Sequence, residues 1–109
     1  MAKQASFVQK GDVIDYTAAA DIAYCDVVPL VTRVGVATED IASGATGGVA
    51  VTGVFEAAAV TGTVFAVGDA LYWDATAKKL TKTATDNTPA GWATEPKISS
   101  GTVARVKIG

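Results

Sequence analysis

Residues 6–16 read Ser-Phe-Val-Gln-Lys-Gly-Asp-Val-Ile-Asp-Tyr, and residues 63–73 read Thr-Val-Phe-Ala-Val-Gly-Asp-Ala-Leu-Tyr-Trp. In both stretches apolar residues lead into Gly-Asp and an alternating run follows, which is typical of a strand, a tight turn and a second strand. The same spacing places Tyr16 opposite Trp73. We interpret the two Gly-Asp pairs as structural turns, because no further carboxylate accompanies both aspartates to hold a metal ion.

The match between the two halves continues along the chain. Gly-Val-Ala-Thr-Glu at 35–39 meets Gly-Trp-Ala-Thr-Glu at 91–95, and Ile-Ala-Ser-Gly at 41–44 meets Ile-Ser-Ser-Gly at 98–101. A short Val-rich strand follows each block. Blocks in the same order at offsets of 56 and 57 residues indicate an internal repeat. The sequence therefore predicts a duplication of about 57 residues, with pseudo-repeats at roughly 6–53 and 63–109.

Composition and patterning predict an all-β fold, a small β-barrel or β-sandwich with very little helix. Half of the 109 residues are hydrophobic, and most of these are Ala and Val, which suit short strands. Residues 102–108 alternate like a half-buried antiparallel strand. Pro29 predicts an edge strand, because proline cannot donate to a ladder. Phe55–Ala59 is the best candidate for a short helical turn or for a connection between the two halves. We expect an N-terminal arm over 1–9 and one β domain over 10–109.

The residue inventory argues against several kinds of function. The chain has no His and one Cys, so we expect no zinc site, no disulfide, no cofactor and no catalytic residue. We interpret Cys25 as a buried structural thiol, because free cysteines are often buried. A net charge of −2 disfavours nucleic-acid binding. No secretory signal and no membrane-spanning apolar run is present, so we expect no membrane partner and synthesis in the cytoplasm.

Charged residues are distributed unevenly. Up to Ala77 there are three cations and nine carboxylates, whereas from Lys78 onward there are six cations and two carboxylates. This pattern is compatible either with ordinary solvated faces or with complementary acidic and basic patches that guide contacts. Four aromatic residues likewise allow two interpretations, a sugar-binding platform or the filling of a small barrel: Tyr16, Tyr72, Trp73 and Trp92.

The ordered blocks resemble the tailed-phage capsid cement (decoration) family. The resemblance rests on Phe-Val-Gln-Lys-Gly-Asp from Phe7, Val-Gly-Val-Ala-Thr-Glu from Val34, Gly-Val-Ala-Val-Thr-Gly from Gly48 and Gly-Asp-Ala-Leu-Tyr-Trp from Gly68. The ending, Gly-Trp-Ala-Thr-Glu from Gly91 and then Gly-Thr-Val-Ala-Arg-Val, also fits. Together these blocks extend from about Phe7 to Ile108.

The resemblance implies a protein that binds the outside of an expanded capsid and stabilises the mature head. Its partners would be the major capsid protein and further copies of itself, with a trimer favoured and a dimer as the alternative. It would reside on the capsid exterior, after assembly in the host cytoplasm. The two halves differ most at 17–34 and 74–90, and we expect the contacts on these stretches and on the arm. The candidate capsid or subunit contacts are Lys3, Gln4, Phe7, Val8, Lys78, Lys79 and Lys82.

Two other functions remain open at this stage. The aromatic residues allow a virion-surface glycan-binding or adhesion module, and paired carboxylates allow an enzyme, which the missing general base disfavours. The arm itself has a simpler interpretation, because chain termini are often disordered without any binding role.

Overall fold

The computed structural model describes residues 4–109, which form two antiparallel β-sheets and contain no helix. The first sheet has the strand order β1-β4-β3-β2 and the second has the order β5-β9-β8-β6-β7. The predicted all-β class is confirmed. The nine strands found in this part of the chain are β1 Val13–Thr17, β2 Val27–Leu30, β3 Arg33–Ala37, β4 Thr46–Ala50, β5 Gly53–Ala58, β6 Ala70–Asp74, β7 Lys79–Thr81, β8 Thr88–Ala93 and β9 Val103–Ile108.

Strand β9 shows how the sequence pattern produces the second sheet. Ala104, Val106 and Ile108 are buried, whereas Val103 and Arg105 are exposed. This alternation is the one predicted from residues 102–108. It places one apolar face on the core while β9 pairs with β5 on one side and β8 on the other. Full burial of one such aliphatic side chain stabilises the fold by about 1.5–3 kcal/mol.

Each sheet has its own hydrophobic cluster, and β3 connects the two. Val49 and Ile41 are buried in the first cluster, and Phe65, Leu71, Leu80 and Ile108 are buried in the second. The side chains of Val34 and Val36, from β3 of the first sheet, belong to the second cluster. The first sheet is therefore anchored to the second through the strand adjacent to its edge.

The second sheet curls until its two edge strands approach each other. Ala59, which follows β5, forms an isolated bridge with Leu80 of β7, and the Val60 N–H donates to the Leu80 carbonyl at 3.0 Å. This contact makes the second sheet barrel-like at one end. Residues 4–109 include no helix long and apolar enough to cross a membrane.

The two sheets share one connectivity. Strands β1, β4, β3 and β2 occupy the same order as β5, β9, β8 and β6, and β7 is an addition to the second sheet. The backbones of Ile22 and Ile41 exchange two hydrogen bonds at 2.8 Å, and those of Phe65 and Lys97 exchange two at 3.0 and 2.9 Å. Common ancestry of the two halves stays a prediction, but the order and connectivity of their strands are alike.

The predicted alignment of the Gly-Asp blocks is wrong. The Ala66 N–H donates to Asp69 Oδ2 at 2.8 Å, and the matching bond in the first sheet runs from the Ala23 N–H to Asp26 Oδ2 at 2.9 Å. Asp26, not Asp12, is therefore the counterpart of Asp69. The preceding residue has positive φ in both turns, 69° at Cys25 and 92° at Gly68.

Two further expectations are corrected. The stretch predicted as a helical turn over 55–59 is mostly strand β5, since Phe55 and Ala57 face the core while Val54 and Glu56 face solvent. Cys25 is exposed rather than buried, because it occupies the left-handed position of a surface turn. The edge strand predicted at Pro29 is confirmed, since β2 lies at the end of the first sheet.

Candidate interaction surface

The segment before β1 exposes two large apolar side chains. Residues 4–10 belong to no strand and are exposed throughout, and the exposed fraction is 87% for Phe7 and 86% for Val8. A side-chain hydrogen bond joins Gln9 Nε2 to the Val13 carbonyl at 3.4 Å. Adjacent exposed apolar residues are typical of a contact surface. Gln4 lies on this segment, whereas Lys3 lies outside the described residues.

A hairpin of the second sheet displays two of the predicted lysines. Strands β6 and β7 are joined by a turn at 75–78, in which Asp74 Oδ1 accepts hydrogen bonds from the Thr76 and Ala77 N–H groups at 2.9 and 3.0 Å. Such Asx contacts hold a turn closed. Lys78 has a φ of 57° and Lys79 begins β7, so both exposed cations lie at one end of this hairpin.

Lys82 differs from the other two predicted lysines because it is bound within the chain. Its Nζ lies 3.2 Å from Asp69 Oδ2 and donates to the Val64 carbonyl at 3.4 Å. The Ala66 N–H, followed by Lys82, lowers the pKa of Asp69. Because this pKa is lowered, ionised Asp69 stabilises the fold at pH values above the pKa that Asp69 has in the unfolded chain. That contribution is lost as the pH falls through the folded pKa.

Much of the cationic C-terminal part is neutralised internally. Arg105 Nη1 lies 2.8 Å from Glu95 Oε1, and Arg105 Nε lies 3.5 Å from Glu56 Oε2. The Glu56 pair joins the acidic part of the sequence to the basic part across β5 and β9. The uneven charge distribution is thus partly resolved within one subunit. Solvent-exposed pairs of this kind contribute little stability.

Lys97 has a buried, structural position that the sequence analysis did not predict. It is buried, and its Nζ donates to the carbonyls of Ile98 and Gly101 at 3.0 and 3.2 Å. The ammonium also lies 4.9 Å from the centroid of the Phe65 ring. By its backbone pairing, Lys97 occupies the place of Ile41. An alignment of the two halves that pairs Ile41 with Lys97 instead of Ile98 would have identified this position.

The shift at Lys97 leaves an apolar pair on the surface. Val64 and Ile98 flank the Phe65–Lys97 bridge, so they lie opposite each other on neighbouring segments. Ile98 is 71% exposed, whereas Ile41, its predicted counterpart, is buried. We call Val64 and Ile98 the bridge patch. Lys82 borders this patch through its contact with the Val64 carbonyl.

A cleft of about 470 Å³ separates the edge strands of the two sheets. Its wall from the first sheet includes Val27 and Pro29, and its wall from the second includes Phe55, Ala57 and Trp73. The remaining lining residues are Cys25, Asp26, Val36, Glu56, Ala58, Ala75 and Lys78. The lining of the cleft is therefore mostly apolar and includes three charged residues, Asp26, Glu56 and Lys78.

Two of the four aromatic residues that the sequence offered as a sugar-binding platform, Tyr16 and Trp73, pack in different hydrophobic clusters. Trp73 is buried in the second core, whereas Trp92 is 43% exposed on β8. Tyr16 packs against the first cluster. Beside the cleft, hydrogen bonding with Cys25 raises the pKa of Tyr24. Over residues 4–109 there is no group of three or more His, Cys, Asp or Glu side chains placed to hold a metal ion.

These features define a small all-β protein that exposes apolar and cationic side chains on its surface. A model of the family described as phage cement protein matches residues 8–108. The chain therefore belongs to the phage cement protein family, as the resemblance in the ordered blocks indicated. No curated protein and no solved structure matched the chain.

Proposed function

We propose that this protein binds the outer surface of the major capsid lattice of a phage and stabilises the mature head. The observation that carries the proposal is the match to the cement family over nearly the whole chain. A cement protein works through binding alone, so we propose no enzymatic role. We place it on the capsid exterior, after assembly in the host cytoplasm.

The proposed contacts are the exposed features that the fold does not use for itself. The arm offers Phe7 and Val8 with Lys3 and Gln4 nearby in sequence, and the β6–β7 hairpin offers Lys78 and Lys79. Lys82 contributes less directly, because Asp69 already binds it; its role is to border the bridge patch. Apolar anchors surrounded by charged groups are the usual composition of a protein interface.

We propose that the protein acts as a homo-oligomer, with a trimer favoured over a dimer. A trimer matches the threefold positions of an icosahedral lattice, which the resemblance to cement proteins implies. A glycan-binding or adhesion module is the weaker candidate, since burial of Trp73 removes one half of its tryptophan pair.

Charge reversal on the hairpin tests this contact assignment. Lys78→Glu and Lys79→Glu are each expected to weaken binding to expanded capsids on the order of tenfold, about 1.4 kcal/mol, because each replaces an attraction by a repulsion. Co-sedimentation with capsids that lack the protein, at several salt concentrations, measures the affinity. The matched control is Arg33→Glu, which makes the same charge change on the first sheet.

The outcomes separate the parts of the proposal. Equal weakening by Lys79→Glu and Arg33→Glu would show that net charge matters and that the hairpin has no special role. If the wild-type protein fails to co-sediment at any salt concentration, the proposed function itself is wrong.

A further inference from the structure

Strand β5 has an unpaired edge whose geometry follows from one hydrogen bond. The Ala59 N–H donates to the Thr102 carbonyl at 2.9 Å, so Ala59 and Thr102 form a hydrogen-bonded pair next to the β5–β9 ladder. Such pairs alternate along an antiparallel ladder. The alternation turns the N–H groups of Val54, Glu56 and Ala58 away from β9. Beyond Ala58 this edge meets β7, where Ala59 bridges Leu80. Over residues 53–57, no strand within the described part of the chain pairs with this edge, which presents the N–H groups of Val54 and Glu56.

The opposite wall of the cleft is protected against strand addition. The Ala37 N–H donates to the Asp26 carbonyl at 2.9 Å, and the same alternation turns Val27 and Pro29 of β2 outward. Pro29 has no N–H, so the β2 edge cannot support a regular ladder. The cleft is therefore bounded by the β5 edge, which can pair with a further strand, and by the β2 edge, which cannot. Strand β1 also has an open edge, but none of its residues lines this cleft.

The arm has the length and the pattern to occupy this place. Residues 5–10, Ala-Ser-Phe-Val-Gln-Lys, are long enough to cover the open part of the β5 edge. In an extended conformation Phe7 and Val8 point to opposite faces, and Lys10 shares the face of Val8. With Phe7 directed into the cleft toward Phe55, Val8 and Lys10 lie on the outer face. The alternation of the arm therefore suits an apolar cleft on one side and solvent on the other.

The arm that fits best belongs to another copy of the chain. Within one chain the arm leads into β1, which lies three positions from β2 in the first sheet. That separation is about 14 Å, given roughly 4.8 Å between neighbouring strands. An arm passed from each copy to the next is a heterologous contact, which forms a closed ring when the rotation between copies closes; mutual exchange between two copies gives a dimer.

We propose that residues 5–10 of one copy add as a strand to the β5 edge of a neighbouring copy, with Phe7 in the cleft. The proposal rests on the proposed homo-oligomer, but it is testable without capsids. Strand addition supplies backbone hydrogen bonds for affinity, and the side-chain pocket supplies specificity.

Disulfide cross-linking tests the exchange, because Cys25 lines the cleft and is exposed. Phe7→Cys is expected to give covalent dimers and larger species on a non-reducing gel under mild oxidation. Val8→Cys is the matched control, since its side chain points away from the cleft, and we expect at least fivefold less product. Phe7→Cys with Cys25→Ser is expected to lose most of the cross-linked product, because the proposed disulfide needs Cys25 as its second thiol.

Three results would overturn the proposal. These are equal yields from Phe7→Cys and Val8→Cys, an unchanged yield of covalent dimer after Cys25→Ser, and a disulfide formed only within one chain. Absence of any cross-link in a solution that light scattering shows to be oligomeric would overturn it as well. A monomer that still co-sediments with capsids would also end the exchange proposal while leaving the proposed function intact.

Discussion

Gly91→Ala is expected to destabilise the protein by about 3 kcal/mol or more, because the added methyl group has no space. Gly91 lies on β8 between β6 and β9, where the β6–β8 register shifts at Leu71 and Tyr72. A Cβ atom at Gly91 would overlap the backbone carbonyl of Lys107 on β9. Backbone atoms of a central strand cannot move aside as a flexible side chain can.

Thermal unfolding followed by circular dichroism measures this effect. For a chain of this size, 3 kcal/mol corresponds to a decrease in Tm of roughly 10–20 °C. Gly11→Ala is the matched control, since no atom lies within 4 Å of its added Cβ; its Tm is expected to change little. Equal Tm values for Gly91→Ala and the wild-type protein would contradict the described pairing of β8 with β9.

Phe65→Ala is expected to cost about 3–5 kcal/mol, the usual range for removal of a buried phenylalanine. Phe65 is fully buried in the second cluster, and its ring supports the ammonium of Lys97. Truncation therefore leaves a cavity and also removes the ring against which a buried cation packs. Both losses affect the segment that pairs Phe65 with Lys97.

Chemical denaturation of Phe65→Ala, Phe65→Leu and Val64→Ala distinguishes these contributions. Val64 is adjacent in sequence but exposed, so its truncation is expected to change stability by less than about 0.5 kcal/mol. Phe65→Leu keeps part of the volume and is expected to lie between the other two. Similar free energies of unfolding for all three variants would show that this part of the second core is not packed as described.

Strand pattern and turn chemistry could be predicted well from the sequence. The alternation over 102–108 and the missing N–H of Pro29 act within a few residues, so they identify β9 and the β2 edge without knowledge of the partner strands. Local physical rules were sufficient for these elements.

Equivalent positions in the two halves were harder to predict, because identical residues occupy different places in the two sheets. Gly11-Asp12 matches Gly68-Asp69 in sequence, but Cys25-Asp26 matches it in backbone geometry. The same shift made Ile98 the expected counterpart of buried Ile41, whereas Lys97 holds that place. A glycine and a cysteine both adopt the left-handed conformation in these turns, and that requirement is invisible in a comparison of residue types.

Contact surfaces depend on which charges the fold itself neutralises. Lys78 and Lys82 look equivalent in the sequence, but Asp69, thirteen positions before Lys82, binds only the latter. The buried position of Lys97 and the ion pairs of Arg105 likewise require the coordinates, since their partners are distant in sequence or on another strand. The cleft between β2 and β5 has no signature in the sequence at all.

Capsid stability with and without the protein tests the central claim most directly. Expanded capsids that lack the protein are heated in its absence and in its excess, and particle disruption is followed by light scattering or release of DNA. If the protein is a cement, saturating amounts raise the disruption temperature, and the increase disappears when binding is prevented. An unchanged disruption temperature on capsids shown to be fully occupied would contradict a stabilising role.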